Sequence, residues 1–285
     1  MSSLTREPGP DATFLADVAG VLFDVDGVLR NASQAVPGAA EVIRTLNDRS
    51  VDYCLLTNNS THSRASLLRE LRGIGLEVDE DRLFNAATAT ASWVARNHPG
   101  QRCLVLVAPD AITAFEAAGV EVVGDADAEH AEVVVMGGAG DYFRYDRLNA
   151  AFRALRNGAQ FIAVHRNIAW VTDSGLTLDS GPFIAALEQA TDARATVVGK
   201  PSVPFFQVAI DRIGQPPSRL LMVGDDVDAD IAPARALGMK TALVRTGKPI
   251  PADPPSDDRS ITIDSVASLD WSTAGQQVAA PKAIE

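Results

Sequence analysis

The sequence predicts an α/β protein: an open, doubly wound parallel sheet with a second α/β domain inserted into it. Short apolar runs that stop at polar or acidic residues alternate with stretches of helical period, and that alternation is what a parallel sheet with crossover helices looks like in a sequence. Two of the runs, Val21-Leu22-Phe23 and Leu220-Leu221-Met222-Val223, end in acids, Asp24-Val25-Asp26-Gly27 and Gly224-Asp225-Asp226. Open α/β sheets place ligands at such C-terminal strand ends. Between Thr57 and Lys200 lie far more residues than the roughly 30 to 40 of one further strand-helix step, hence the inserted domain.

The opening strand organises the rest. Phe23 and Val25 alternate with Asp24 and Asp26, so an extended chain would put both carboxylates on one side, and Gly27 lets it turn away. Two carboxylates about 4 Å apart repel by about 4 kcal/mol at an effective dielectric of about 20, which asks for a cation between them. Pro37-Gly38-Ala39 leads into a helix with apolar positions 39, 42, 43 and 46, and Tyr53-Cys54-Leu55-Leu56 is a second buried strand ending in Thr57-Asn58-Asn59-Ser60. A hydroxyl followed by backbone N–H groups at a strand-to-helix turn is a phosphate cradle. It is equally an N-cap, with Asn59, Ser60 or Ser63 starting the helix Ser63 to Arg72.

Ala86 to Asn97 reads as the helix leading into the inserted domain. There the pattern gives strands at 103–108, 120–123, 131–136 and 160–165, and helices at 111–118, 145–156 and 182–190. Gly137-Gly138-Ala139-Gly140 lacks the spacing of a dinucleotide loop and reads as a strand-to-loop turn. His165, Arg166 and Asn167 stand together at a strand end, before a hairpin turn at Asp173-Ser174-Gly175, and are candidate contacts to the variable part of a substrate. Val197-Val198-Gly199 reads as a strand returning to the main domain, with Lys200 at its end and a helix from Val203 to Ile213 after it. Asp225, Asp226, Asp228 and Asp230 precede a helix around Ile231 to Leu237, where Pro233 fits only if the helix begins close to Asp230. Ala242-Leu243-Val244 is the last clear strand, and Ile261-Thr262-Ile263 adds a brief edge strand.

Composition narrows the function classes. The 285 residues carry a net charge of −12, with 46% hydrophobic and 22% charged residues. That balance argues against a nucleic-acid partner, whose backbone is bound by clustered Lys and Arg. Cys54 and Cys103 lie inside apolar runs and read as buried structural thiols. No apolar stretch approaches the ~18 residues of a membrane span, and residues 1–12 lack a signal core. The expectation is a cytoplasmic protein with no membrane partner.

Taken together, Asp24-Val25-Asp26-Gly27-Val28, the apolar strand ending in Thr57, Lys200-Pro201 after a buried strand, and Gly224-Asp225 with Asp230 resemble the four motifs of the haloacid dehalogenase-like phosphatases. The stretches Thr57-Asn58-Asn59-Ser60, Gly181-Pro182-Phe183 and Val197-Val198-Gly199-Lys200-Pro201 resemble in particular the NagD-like branch, which carries a large cap after the second motif. Residues 1–12 read as a disordered tail and residues 273–285 as a loose one, and the resemblance implies a Rossmann-like catalytic core at 13–82 and 196–272 and a cap at 83–195. It also implies a cofactor, Mg²⁺, held by Asp24, the Asp26 carbonyl and Asp225, with Asp226 or Asp230 orienting its waters. Asp24 would be the nucleophile and Asp26 the general acid and base. Thr57, Asn58, Asn59 and Lys200 would bind the phosphoryl group of a small phosphorylated metabolite. A phosphotransferase using the same Asp24 chemistry, and a binding protein with the same site, are the alternatives. A homodimer paired through the cap goes with the resemblance alone.

Overall fold

The computed structural model describes residues 14–172, 174–252, 254 and 256–275. Residues 1–12, the end of the chain from 276, and Asp173 of the expected hairpin turn lie outside the described residues. The described residues divide into two compact units, one drawn from residues 1–54, 75–77 and 210–285, the other from residues 55–74 and 78–209.

In the first unit, the strands Gly20–Phe23, Leu220–Gly224, Lys240–Val244 and Ser260–Ile263 run parallel in the spatial order 20–23, 220–224, 240–244, 260–263. The first three bury every residue. That explains why the first two read as continuous apolar runs and not as alternating ones: a parallel strand is covered on both faces. Ser260–Ile263 is the expected edge strand. The helix Ala39–Asp48 buries Ala39, Val42, Ile43 and Leu46, the positions its period selects. The helix after Asp225 begins earlier than its sequence pattern implies: a wide turn spans Val227–Ile231 and passes into a short helix Ala232–Ala236. The Asp226 side chain accepts the N–H groups of Asp228 and Ala229, which starts the turn there, and Pro233 falls in the first turn of the helix, where it displaces no hydrogen bond. Trp271 is buried against Phe23, with ring centroids 5.5 Å apart, and its indole N–H donates to the Val266 carbonyl at 2.8 Å. The Gly275 N–H reaches back to the Val18 carbonyl.

In the second unit, Leu55–Thr57, the end of the strand Asp52–Thr57, pairs in parallel with Leu83–Asn85. The helix Arg64–Gly73 is capped by Ser63, whose hydroxyl accepts the Ser66 N–H. The helix Ala86–Asn97 is capped by Asn85 on the Thr88 N–H. A separate five-stranded parallel sheet follows in the order Thr196–Val197, Gln160–Ala163, Val133–Met136, Arg102–Leu106, Glu121–Val122. Helices Tyr145–Arg156 and Ser180–Thr191 bury Ala151, Ala154, Ile184 and Leu187 in one core with Leu104, Val134 and Phe161. The strand at 196–197 departs from expectation, since it closes the edge of this sheet and is no strand of the first. Three β-branched residues in a row specify a strand but not the neighbour it pairs with. Ala169–Thr172 and Gly175–Leu178 form an antiparallel hairpin.

Candidate active-site residues

The first unit gathers the acids. The ladder continues one residue past the opening strand, the Asp24 N–H donating to the Val223 carbonyl at 2.9 Å, and the chain then turns: the Leu29 and Arg30 N–H groups return to the Val25 carbonyl, and Gly27 adopts φ +89°. Asp24, Asp225 and Asp230 are all buried, and each offers a carboxylate oxygen within 4.8 Å of the other two. Asp26 has a different setting. Its carboxylate pairs with the Arg30 guanidinium at 2.8 Å and is about half exposed, because extended geometry ends at Asp24 and the two acids are not carried along one strand face.

Asp225 is held by absence of bulk as much as by bonds. Its Oδ2 accepts the Lys248 N–H at 2.9 Å, and a Cβ on Gly27 or on Gly247 would come within 2.2 or 2.0 Å of that same oxygen. The Thr246 hydroxyl donates to the Gly27 carbonyl at 2.6 Å, and Asn31 donates to the Thr246 carbonyl at 2.8 Å. The loop Thr246-Gly247-Lys248 thus closes over the Asp24–Gly27 turn. Of the two acids expected to support the cluster, Asp230 belongs to it and accepts the Asp226 N–H at 3.2 Å. Asp226 caps its own turn and pairs with the Lys248 ammonium. Burial alone would raise the Asp226 carboxyl, but Lys248 and the N–H groups of Ala229 and Asp228 outweigh it and hold the pKa below the ordinary range. Burial alone would lower Lys248; Asp226, helped by Asp225 and Asp24, raises it.

The second unit gathers the anion-binding candidates. Thr57 ends its strand buried, and its hydroxyl accepts the Asn59 N–H at 3.0 Å. Asn58 spends its side chain on Lys200: Oδ1 accepts the Lys200 N–H at 2.9 Å and Nδ2 donates to the Lys200 carbonyl at 3.1 Å. Gly199 leaves room for this clasp, since a Cβ there would lie 2.7 Å from Asn58 Oδ1. Lys200 is buried and joined to Pro201 by a cis peptide bond. The Asn59 carboxamide oxygen accepts the N–H groups of Thr61 and His62 and shapes the loop.

The three residues expected to meet a substrate have unequal roles. His165 is 2% exposed; its Nε2 lies 2.7 Å from the Ser60 hydroxyl, and its Nδ1 lies 3.3 Å from the Ser180 hydroxyl and 3.9 Å from Asp179. Ser60 also accepts the Gly138 N–H at 2.6 Å, so the glycine-rich turn is part of this network. Arg166 forms a two-pronged pair with Glu188 at 2.8 and 2.7 Å, and the Ala195 N–H donates to the same carboxylate. Arg166 holds the Glu188 carboxyl below its usual range against the opposing effect of burial. Asn167 reaches Asn58, its Oδ1 3.4 Å from Asn58 Nδ2.

Sequence reasoning gave Thr246 and Lys248 no role at the site, offered Ser60 only within the strand-end turn and as an N-cap, and missed the side-chain role of Asn58. An isolated Thr, Lys or Ser in a loop carries no periodic signal, and only the fold brings it to its partner.

Residues 21–121 match the family profile described as haloacid dehalogenase-like hydrolase, and residues 197–269 match one described as HAD-hydrolase-like. Human haloacid dehalogenase-like hydrolase domain-containing protein 2 is 40% identical over 228 residues, 80% of this chain and 84% of its own. The chain belongs to the haloacid dehalogenase-like hydrolases. It is an enzyme of that hydrolase class, and phosphatases stand among its relatives. Human phospholysine phosphohistidine inorganic pyrophosphate phosphatase is 33% identical over 245 residues, 84% of this chain and 87% of its own. Among solved structures, a 4-nitrophenylphosphatase from Thermotoga maritima superposes with a TM-score of 0.81 at 27% identity, covering 92% of this chain and 99% of its own. NagD from E. coli K-12 superposes at 0.76 with 26% identity, covering 89% and 99%. Among the described residues, no helix is long and apolar enough to cross a membrane.

Proposed function

We propose that the chain is a Mg²⁺-dependent phosphatase that hydrolyses a small phosphorylated metabolite by way of a phosphoryl group carried on Asp24. The observation that carries this reading is the buried trio Asp24, Asp225 and Asp230. Three buried carboxylates within 4.8 Å of one another repel strongly, a divalent ion among them would offset that repulsion, and an all-oxygen set suits a hard divalent ion. The residues present therefore fit the ion: Asp24 and Asp225 would hold it with the Asp26 backbone carbonyl, and Asp230 would hold the ion or its waters. When bound, the ion supplies charge neutralisation that lets an anionic carboxylate approach an anionic phosphoryl group.

The chain's own residues do the rest. The Asp24 carboxylate attacks phosphorus, and the ester P–O bond breaks. The leaving oxygen takes a proton from Asp26, whose side chain is about half exposed. Asp26, now a base, takes a proton from the water that attacks the Asp24 phosphoryl group, returning Asp24 and releasing phosphate. Thr57, the Asn58 N–H and Lys200 bind phosphoryl oxygens, with Asn58 keeping the Lys200 backbone in register. Phosphate monoesters can need acceleration approaching ~10²¹, more than ~25 kcal/mol, so nucleophile, acid, cation and a water-excluding cap must share the task. His165 and Arg166 support the cap loop, and Asn167 is the residue of that loop to contact substrate. The free buried thiols Cys54 and Cys103 accord with a cytoplasmic setting, and the cap is the expected surface for a homodimer.

The test is phosphate release by the pure protein from a panel of phosphoglycolate, glycerol phosphate, sugar phosphates, nucleotides, pyridoxal phosphate, phosphoamino acids and pyrophosphate, with and without Mg²⁺. Release from at least one compound, abolished by chelator and restored by Mg²⁺, is expected. Transfer of the phosphoryl group to a second metabolite without net release would replace the reading by a phosphotransferase.

A further inference from the structure

A cavity of about 230 Å³ opens in the second unit between the helix Ala86–Asn97 and the start of the helix Val203–Ile213, floored by the strand Leu83–Asn85. Its wall is mostly apolar and includes the partly exposed aromatic side chains Phe84 and Trp93, the buried Phe205, and Val208, which is 47% exposed although large and hydrophobic. The charged groups lining it are two arginines, Arg64 and Arg96, and no carboxylate among the described residues lines it, in a chain of net charge −12. Arg64 is shared with Glu80 at 2.7 Å, whereas Arg96 has no ion pair among the described residues. The hydroxyls of Thr88 and Ser92 add polar atoms on the same helix.

We infer that this cavity is a binding site for a small organic acid with a flat apolar body, its ring against Trp93 and Phe84 and its anionic group on Arg96. The volume admits one or two fused rings. Aromatic walls take a flat body, and a guanidinium recognises a carboxylate in two-pronged fashion. None of these residues belongs to the site proposed above, so the inference goes beyond that reading. The cavity nevertheless touches segments that lead to it. Val198 lines it two residues before Lys200, and Asn85, at its floor, donates to the His62 carbonyl at 3.0 Å in the loop that follows Ser60. A Cβ on Gly199 would lie 2.9 Å from Ala86 Cβ, so the start of the helix bearing Trp93 abuts the residue before Lys200. Occupancy is therefore expected to change turnover as well as to occur.

Isothermal titration of the full-length protein with 2-naphthoate, repeated with the uncharged 2-naphthylmethanol, tests the inference. Saturable one-to-one binding of 2-naphthoate below about 1 mM, tighter than the alcohol by about tenfold or more, is expected. Arg96→Glu should weaken it by about tenfold or more while leaving p-nitrophenyl phosphate turnover without ligand unchanged, and Ala89→Trp, which fills the cavity, should abolish it. Absence of saturable binding, equal binding by Arg96→Glu, or displacement by inorganic phosphate, which would put the acid at the phosphoryl site, overturns the inference.

Discussion

The loops around Asp225 and those around Lys200 are both fixed tightly, by opposite means. Asp225 sits where two glycines leave space, Gly27 and Gly247 each within 2.2 Å of its Oδ2 at the position a Cβ would take, with a backbone N–H from Lys248 as a donor. Lys200 is fixed by a side chain, the Asn58 carboxamide bonding both its N–H and its carbonyl, and the neighbouring Ser60 is fixed by another, His165. An acid cluster built from turns needs residues that are missing something. A cationic and hydroxyl cluster built from strand ends needs paired polar groups, each of which must be satisfied when buried. The two regions should therefore fail differently: adding a methyl group breaks the first, and removing a carboxamide breaks the second.

The largest expected effect tests what the acid cluster is for. Asp24→Asn should lower turnover by about 10⁴-fold or more, the scale at which a nucleophile is lost, while circular dichroism and melting stay near the parent. Gly247→Ala comes next. The new Cβ would overlap Asp225 Oδ2, so Mg²⁺ affinity, read by titration, should fall by about 10–100-fold, the usual cost of disturbing a group that orients a ligand. An unchanged affinity would mean that Asp225 is not held by empty space. On the other side, Asn58→Ala should lower kcat/KM by about 10–100-fold by removing the two hydrogen bonds that Asn58 makes to the Lys200 backbone, and Asn58→Asp should recover little, since a carboxylate accepts the Lys200 N–H but cannot donate to its carbonyl.

The smallest effect belongs to the Arg166–Glu188 pair. Glu188 is held below its usual pKa, so its contribution to stability is present above the ordinary carboxylate range near pH 4.3 and is lost as pH falls through the lowered value. Glu188→Gln should cost about 1 kcal/mol at neutral pH, discounted for a guanidinium that is 39% exposed, hence a Tm lower by about 2–4 °C. That difference should shrink below about pH 4; a gap that grows on acidification would contradict the pairing.

The parallel strands and most helices were legible because buried strands read as apolar runs and amphipathic helices as a 3.6-residue period. Ala86–Asn97 and Tyr145–Arg156 fall at their expected limits. Where a short segment docks was not legible: Thr196–Val197 joins the five-stranded sheet by a tertiary choice. The acids of the candidate site announced themselves because clustered carboxylates after an apolar strand are costly without a purpose. His165 and Arg166 stood out for the same reason, polar groups at a strand end, yet they serve the loop's own structure through Ser60 and Glu188. A titratable residue at a strand end thus marks either chemistry or scaffolding, and His165 reads as scaffolding because both its ring nitrogens lie against the hydroxyls of Ser60 and Ser180.

The central claim is that Asp24 carries the phosphoryl group. Rapid quenching during turnover, borohydride reduction of any acyl phosphate and mass spectrometry of the peptide around Val21–Arg30 test it directly. Homoserine at position 24, formed only with substrate and divalent ion present, is the predicted result; full phosphate release with Asp24 recovered unmodified under trapping conditions that label a known aspartyl-phosphate enzyme would contradict it.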